Sequence, residues 1–80
     1  MQIDWRSHIH SDPEILLGKP VIRGTRISVE LILELLSEGW SADDLMASYS
    51  GLSQTDLLAV FAYLRDCIQQ ELYFPIRQAG

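Results

Sequence analysis

A mainly α fold, three helices in a helix-turn-helix-like bundle behind a short N-terminal β element, is predicted by three observations. From Ile27 onward the apolar residues recur at helical spacing. Ser28, Ser41 and Ser53 each stand just ahead of such a stretch, where a hydroxyl accepts a hydrogen bond from an orphan amide of the first turn. The residue before each serine pairs by spacing with an apolar one inside the helix: Ile27 with Ile32, Trp40 with Leu45, Leu52 with Leu57. Asp44 and Asp56 complete capping-box spacings with Ser41 and Ser53, and their charge suits the positive end of a helix.

The elements follow in chain order. Trp5 to His10 alternates and reads as extended, Asp12-Pro13 is a turn signal, and Gly18-Lys19-Pro20 interrupts the chain again. Val21-Ile22 and Arg26-Ile27 read as short strands around the glycine turn Arg23–Thr25. The first helix, about Val29–Glu38, sets Val29, Ile32, Leu33 and Leu36 on one stripe and Glu30, Glu34 and Glu38 opposite, and Gly39 stops it. The second, about Ala42–Tyr49, buries Leu45, Met46 and Tyr49 and breaks at Ser50-Gly51. The third starts near Gln54, carries Leu57, Val60, Phe61, Leu64, Ile68 and Leu72, and must end before Pro75. At 1.5 Å per residue that is on the order of 28 Å, more than two short neighbours cover, so Ile68 and Leu72 need another surface. The chain thus divides into an extended segment 1–27, a helical core 28–72 and an apolar tail 73–80, within one domain. Arg77 to Gly80 is expected to fray.

Composition bounds the function. Eighty residues, 48% hydrophobic and 21% charged, describe an ordinary globular chain of one domain. A core this small, with one cysteine and so no internal disulfide, favours oligomerisation or a bound partner. No basic leader or long apolar run opens the chain and no stretch approaches the ~20 residues of a membrane span, so a cytoplasmic protein is expected. The net charge of −5 is unevenly spread. Residues 1–27 carry Arg6, Lys19, Arg23 and Arg26 against Asp4, Asp12 and Glu14, whereas residues 28–71 set Arg65 alone against Glu30, Glu34, Glu38, Asp43, Asp44, Asp56, Asp66 and Glu71. An acidic body disfavours a surface that clings wholesale to nucleic acid.

In a helix-turn-helix the last helix enters the major groove with its N-terminal side chains, which here are Gln54, Thr55 and Asp56, with Leu58 and Ala59 behind. Gln54 and Thr55 are able to read bases, but Asp56 repels phosphate, no cation precedes Arg65, and a plain helix cap also explains all three. Lys19, Arg23 and Arg26, with Thr25 among them, form the one basic cluster. It either grips phosphate or pairs with Glu30 or Glu34 of its own or a neighbouring chain. His8 and His10 share a face if their segment is a strand, yet without a third ligand they read as surface histidines. Cys67 reads as a buried structural thiol. No nucleophile–base pair, phosphate loop, metal motif or carboxylate pair appears, so neither catalysis nor a cofactor is expected. Leu72, Tyr73, Phe74 and Ile76 form an apolar run after the last helix. They either fold back on the core, against Trp5, or join Ile68 and Arg77 in covering a partner.

The run from Asp12 to Val29, above all Gly18-Lys-Pro-Val-Ile-Arg-Gly-Thr-Arg26, followed by the leucine-rich helix ending Glu38-Gly-Trp40 and by Leu52, resembles the family called domain of unknown function 433. The resemblance covers about residues 8–65. Leu17 stands where most members have Gly or Ala, and Ser28 where Pro is usual. Members are small bacterial and archaeal proteins, frequently encoded beside a small PIN-like nuclease and regarded as antitoxins with a helix-turn-helix-like fold. The resemblance therefore implies an inhibitor that binds a PIN-like RNase toxin and also represses its own operon; the small core adds the expectation of a homodimer or hetero-oligomer. Arg77, or Arg23 and Arg26, would enter the nuclease's acidic metal site while the acidic helices meet its basic RNA-binding rim. Two other readings stand beside it: a stand-alone transcriptional regulator that binds operator DNA, and a dimerisation or structural subunit that binds none.

Overall fold

The computed structural model describes residues 3–72 and Ile76. Two strands, β1 (Ile9–His10) and β2 (Val21–Ile22), precede three helices, α1 (Val29–Ser37), α2 (Ala42–Ser48) and α3 (Gln54–Gln69). The fold is therefore mainly α with a small antiparallel β element, and α2 and α3 form the helix-turn-helix-like pair. All three serine caps are made: Ser28 accepts from the amide of Leu31, Ser41 from Asp44 and Ser53 from Asp56. Both capping boxes close, the aspartate side chains bonding back to the Ser41 and Ser53 amides.

The β element is built differently from the alternation in the sequence. Trp5–Ser7 forms a 3-10 turn, because the Asp4 carboxylate accepts from the Arg6 amide and the Ser7 and His8 amides bond back to Asp4 and Trp5. Only Ile9–His10 is strand, pairing Ile9 with Ile22 and His10 with Val21. Arg26-Ile27 is not a strand of its own; on that side β2 has a single bridge from Val21 to Ser28 and a bond from the Ile22 amide to the Ile27 carbonyl. β2 thus runs between β1 and the entry to α1, and both of its side chains are buried.

Helix α3 stops at Gln69 instead of continuing towards Pro75. The Glu71 amide bonds to the Ile68 carbonyl and the Leu72 amide to Cys67, with Glu71 left-handed at φ 62°. This is a Schellman stop with glutamate in the place glycine favours. The same bonds end α1, from Gly39 to Leu36 and from Trp40 to Leu35, around Gly39 at φ 102°. The core joins Ile9 and Ile22 of the strands to Val29, Ile32, Leu45, Leu52, Leu57, Ala59 and Val60. Two expectations for α3 are corrected: Ala59 is fully buried, and Phe61 is 53% exposed, because α3 turns the 57/60/64 stripe to the core.

Candidate interaction surfaces

The basic cluster does not converge on one point. Lys19 Nζ lies 2.7 Å from Glu30 Oε1, an exposed ion pair within the chain. Arg23 donates through Nε and Nη2, at 3.2 and 3.1 Å, to the Arg6 carbonyl and so braces the N-terminal turn. Thr25 is spent on its own turn, donating to the Ile22 carbonyl at 2.8 Å and accepting from the Ile27 amide at 3.0 Å. Gly24, at φ 78°, supplies the left-handed residue that turn requires. A Cβ on Gly51 would come within 2.9 Å of the Thr25 methyl, so the glycine turn sits against the α2–α3 connection. Arg26 alone keeps its guanidinium exposed and makes no hydrogen bond or ion pair among the described residues. It borders a cleft of about 480 Å³ with His10, Ile15, Gly24 and Thr25.

Just upstream, Leu16, Leu17 and Gly18 have φ of 50°, 58° and 85°, three left-handed residues in succession. Left-handed backbone costs a branched or bulky residue about 1 kcal/mol or more. Leu17 is 95% exposed, so no packing offsets that cost.

Two polar contacts that sequence reasoning missed tie the N-terminal segment to α3. His8 was expected at the surface; instead its Nδ1 lies 2.9 Å from Asp56 Oδ1, and the Asp56 side chain is only 14% exposed. Burial pulls the Asp56 carboxyl upward, but the bonds from His8 and from the Ser53 amide and hydroxyl outweigh it and leave the group below its usual range. Trp5 donates its indole N–H to Asp66 Oδ2 at 2.7 Å, and that bond holds the Asp66 carboxyl below its usual range. The Trp5 ring meets Tyr63 edge-on at 4.8 Å, with the Arg6 guanidinium 4.3 Å over it. Trp5 therefore covers the second half of α3 on its Tyr63–Asp66 side. Cys67, expected buried, is half-buried, and burial together with its thiol pushes the Tyr63 hydroxyl up. His10 faces the Arg26 cleft, so the two histidines serve different surroundings.

The N-terminal turn of α3 offers Gln54 and Thr55, both exposed. Behind them the helix presents Leu58 at 50%, Phe61 at 53%, Ile68 at 61% and, past its end, Leu72 at 67% exposure, with Arg65 among them. The helical positions 58, 61, 65 and 68 alternate three and four apart, the spacing of a helix-packing seam, and Leu72 lies beyond the helix end, after the left-handed Glu71. That spacing is legible in the sequence, where Leu58 stands behind the groove-facing residues and Phe61 falls on the apolar stripe. Ile76 is exposed, whereas Tyr73, Phe74 and Arg77 lie outside the described residues. A second surface is acidic: Glu34, Glu38, Asp43 and Asp44 are all exposed along α1 and α2, and Lys19 neutralises only Glu30 beside them. No helix among the described residues is long and apolar enough to cross a membrane.

Comparison with known proteins places this geometry. None of the proteins with a curated description matches the chain. A solved structure of a DUF433 member protein from Anabaena variabilis ATCC 29413 is similar, with 32% identity and a TM-score of 0.70. The alignment covers 78% of this chain and 61% of that one, so the chain spans less than two-thirds of that relative's length. The family model described as "Protein of unknown function (DUF433)" matches residues 9–64, which contain the glycine turn, the three caps and most of α3. With well over half of its length inside that match, the chain belongs to the DUF433 family.

Proposed function

We propose that the chain is a non-enzymatic, antitoxin-type inhibitor that works by binding protein, its partner being a PIN-like ribonuclease. The observation that carries this reading is what α3 presents. A groove-reading helix needs hydrogen-bond donors and cations at its outer face, and this one offers Leu58, Phe61 and Ile68, with no cation before Arg65. Apolar surface of that kind is matched by protein. The acidic face of α1 and α2 complements a cationic rim such as an RNA-binding nuclease carries, and opposed charge of this kind steers encounter and excludes wrong partners. Co-expression with the product of the adjacent gene tests it. Co-purification and loss of RNase activity are expected, and Glu34→Lys with Glu38→Lys weakens inhibition while the melting temperature holds. An adjacent product without nuclease activity, or one that cleaves undiminished in the presence of this chain, refutes the reading.

A second reading, operator binding, is favoured by Arg26, whose exposed guanidinium stands with His10 over a cleft. Phosphate contact there predicts a gel shift on the chain's own promoter that Arg26→Glu abolishes. Arg23, bonded to the Arg6 carbonyl, serves the fold, so its reversal lowers stability as well.

A further inference from the structure

We infer that the outer face of α3 is a self-association seam, on which two copies of this chain pair as antiparallel helices. This inference rests on the reading of that face as a protein contact and names its occupant. Four large side chains, Leu58, Phe61, Ile68 and Leu72, are each half to two-thirds exposed. Together they present on the order of 400 Å² of apolar surface, within the roughly 300–600 Å² of the largest patch on a typical monomer, which is often functional. Within α3, the three-and-four spacing of positions 58, 61, 65 and 68 suits a straight helix laid alongside.

Charge selects the second copy. The chain carries a net −5, so most of its faces repel their own kind. Of the carboxylates of α3, Asp56 bonds His8, and Asp66 bonds Trp5 while its other oxygen lies 3.5 Å from Arg65 Nη2; the seam positions 54, 58, 61, 62, 65, 68 and 69 hold no acid. Two copies thus approach here without opposing carboxylates, and Arg65 is the one charge to accommodate. In a parallel pair, or an antiparallel one centred on Arg65, the two guanidinium groups meet. Centring the two-fold axis near Tyr63 removes that conflict. Arg65 then lies against the Phe61 ring of the second copy, a cation–π contact made twice, and Leu58 meets Ile68 of the second copy. Helix α2 packs on α3, and the exposed acids Glu34, Glu38, Asp43 and Asp44 lie on α1 and α2 outside the seam, so such a dimer keeps the acidic face of each copy open.

Two such faces with their polar rims come near ~1,200 Å² of buried surface, the low end for a specific complex, so the pair dissociates on dilution through the micromolar range. Sedimentation equilibrium of the full chain is the first test. The expected mass rises with concentration from 9.1 kDa to twice that value. Phe61→Glu and, separately, Ile68→Glu keep the chain at the monomer mass with unchanged helical circular dichroism. Both side chains are exposed, so folding survives either change. Register is read by thiol pairing in a Cys67→Ser background. A Leu58→Cys chain mixed with an Ile68→Cys chain forms the mixed disulfide in preference to either symmetric one, because like positions sit about 15 Å apart along the axis. A monomer at all concentrations overturns the inference, as does a dimer indifferent to both glutamates or one that yields symmetric disulfides. If removing residues 73–80 turns a monomeric chain into a dimer, the seam belongs to that segment, and the inference also fails. Nuclease inhibition by a strictly monomeric chain refutes the pairing alone, whereas a dimer that inhibits nothing refutes the proposed function alone.

Discussion

Replacing Asp56 with alanine removes two side-chain bonds at one point and loosens a third, the backbone bond beside them. Its carboxylate accepts from the Ser53 amide at 3.0 Å and bonds His8 at 2.9 Å, while the Ser53 hydroxyl accepts the Asp56 amide at 3.1 Å and is steadied by the reciprocal contact. A helix cap is worth about 1 kcal/mol, and a hydrogen bond to a charged group about 1.5–3 kcal/mol. The two share one side chain and do not add in full, so Asp56→Ala is expected to cost about 2–3 kcal/mol. At 4–8 °C per kcal/mol for a chain of this size, the melting temperature falls by roughly 10–20 °C. The loss also depends on pH. The folded-state pKa of Asp56 lies below its unfolded value, so the carboxylate contributes fully above the unfolded pKa of about 3.9, and the contribution fades as pH falls through the folded pKa. Urea melts of both chains between pH 7 and pH 2.5, followed by circular dichroism, should show a wide gap at neutral pH that narrows in acid. A gap under about 0.5 kcal/mol at pH 7, or one constant across the range, would falsify the assignment. Asp56→Asn, which keeps the shape and drops the charge, is expected to fall between the two.

Two further predictions concern backbone and core. Glu71→Gly relieves the left-handed strain at the end of α3 and should raise stability by about 0.5–1 kcal/mol, whereas Gly39→Ala, at the equivalent place after α1, lowers it by about 1 kcal/mol; chemical denaturation of both distinguishes the signs. Leu45→Ala, at 0% exposure between the helices, should cost about 2–4 kcal/mol with little change in the urea m-value; a loss below about 1 kcal/mol would mean that the core collapses around the site.

Much of the helical layout is legible in the sequence, and the reason is locality. A serine cap, its aspartate three residues on and the staple around them interact within one turn of chain, so the residue types alone report the bond. Gly39 told of the end of α1 because glycine is the residue that a left-handed stop prefers. Glu71 makes the same stop after α3 without that sign, so the apolar spacing alone carries the helix on towards Pro75. The 3-10 turn at Trp5–Ser7 was hidden for a related reason: the alternation of side chains resembles a strand, and the Asp4 bond to the Arg6 amide decides otherwise.

The candidate surfaces divide along the same line. The acidic character of α1 and the basic character of residues 19–26 are properties of composition, and the sequence by itself determined them, together with family membership and the three helix starts. Tertiary structure alone decided which charges remain available. It took Lys19 to Glu30, Arg23 to the Arg6 carbonyl and Thr25 into its turn, and it left Arg26 exposed. It also brought His8 to Asp56 and Trp5 to Asp66 across separations of 48 and 61 residues, pairings on which local spacing is silent. The two faces of α3 show the physical reason most directly. Leu57 and Phe61 are equally apolar on paper, and only the rotation of the helix about its axis, set by the strands and helices packed beneath it, buries the first and presents the second.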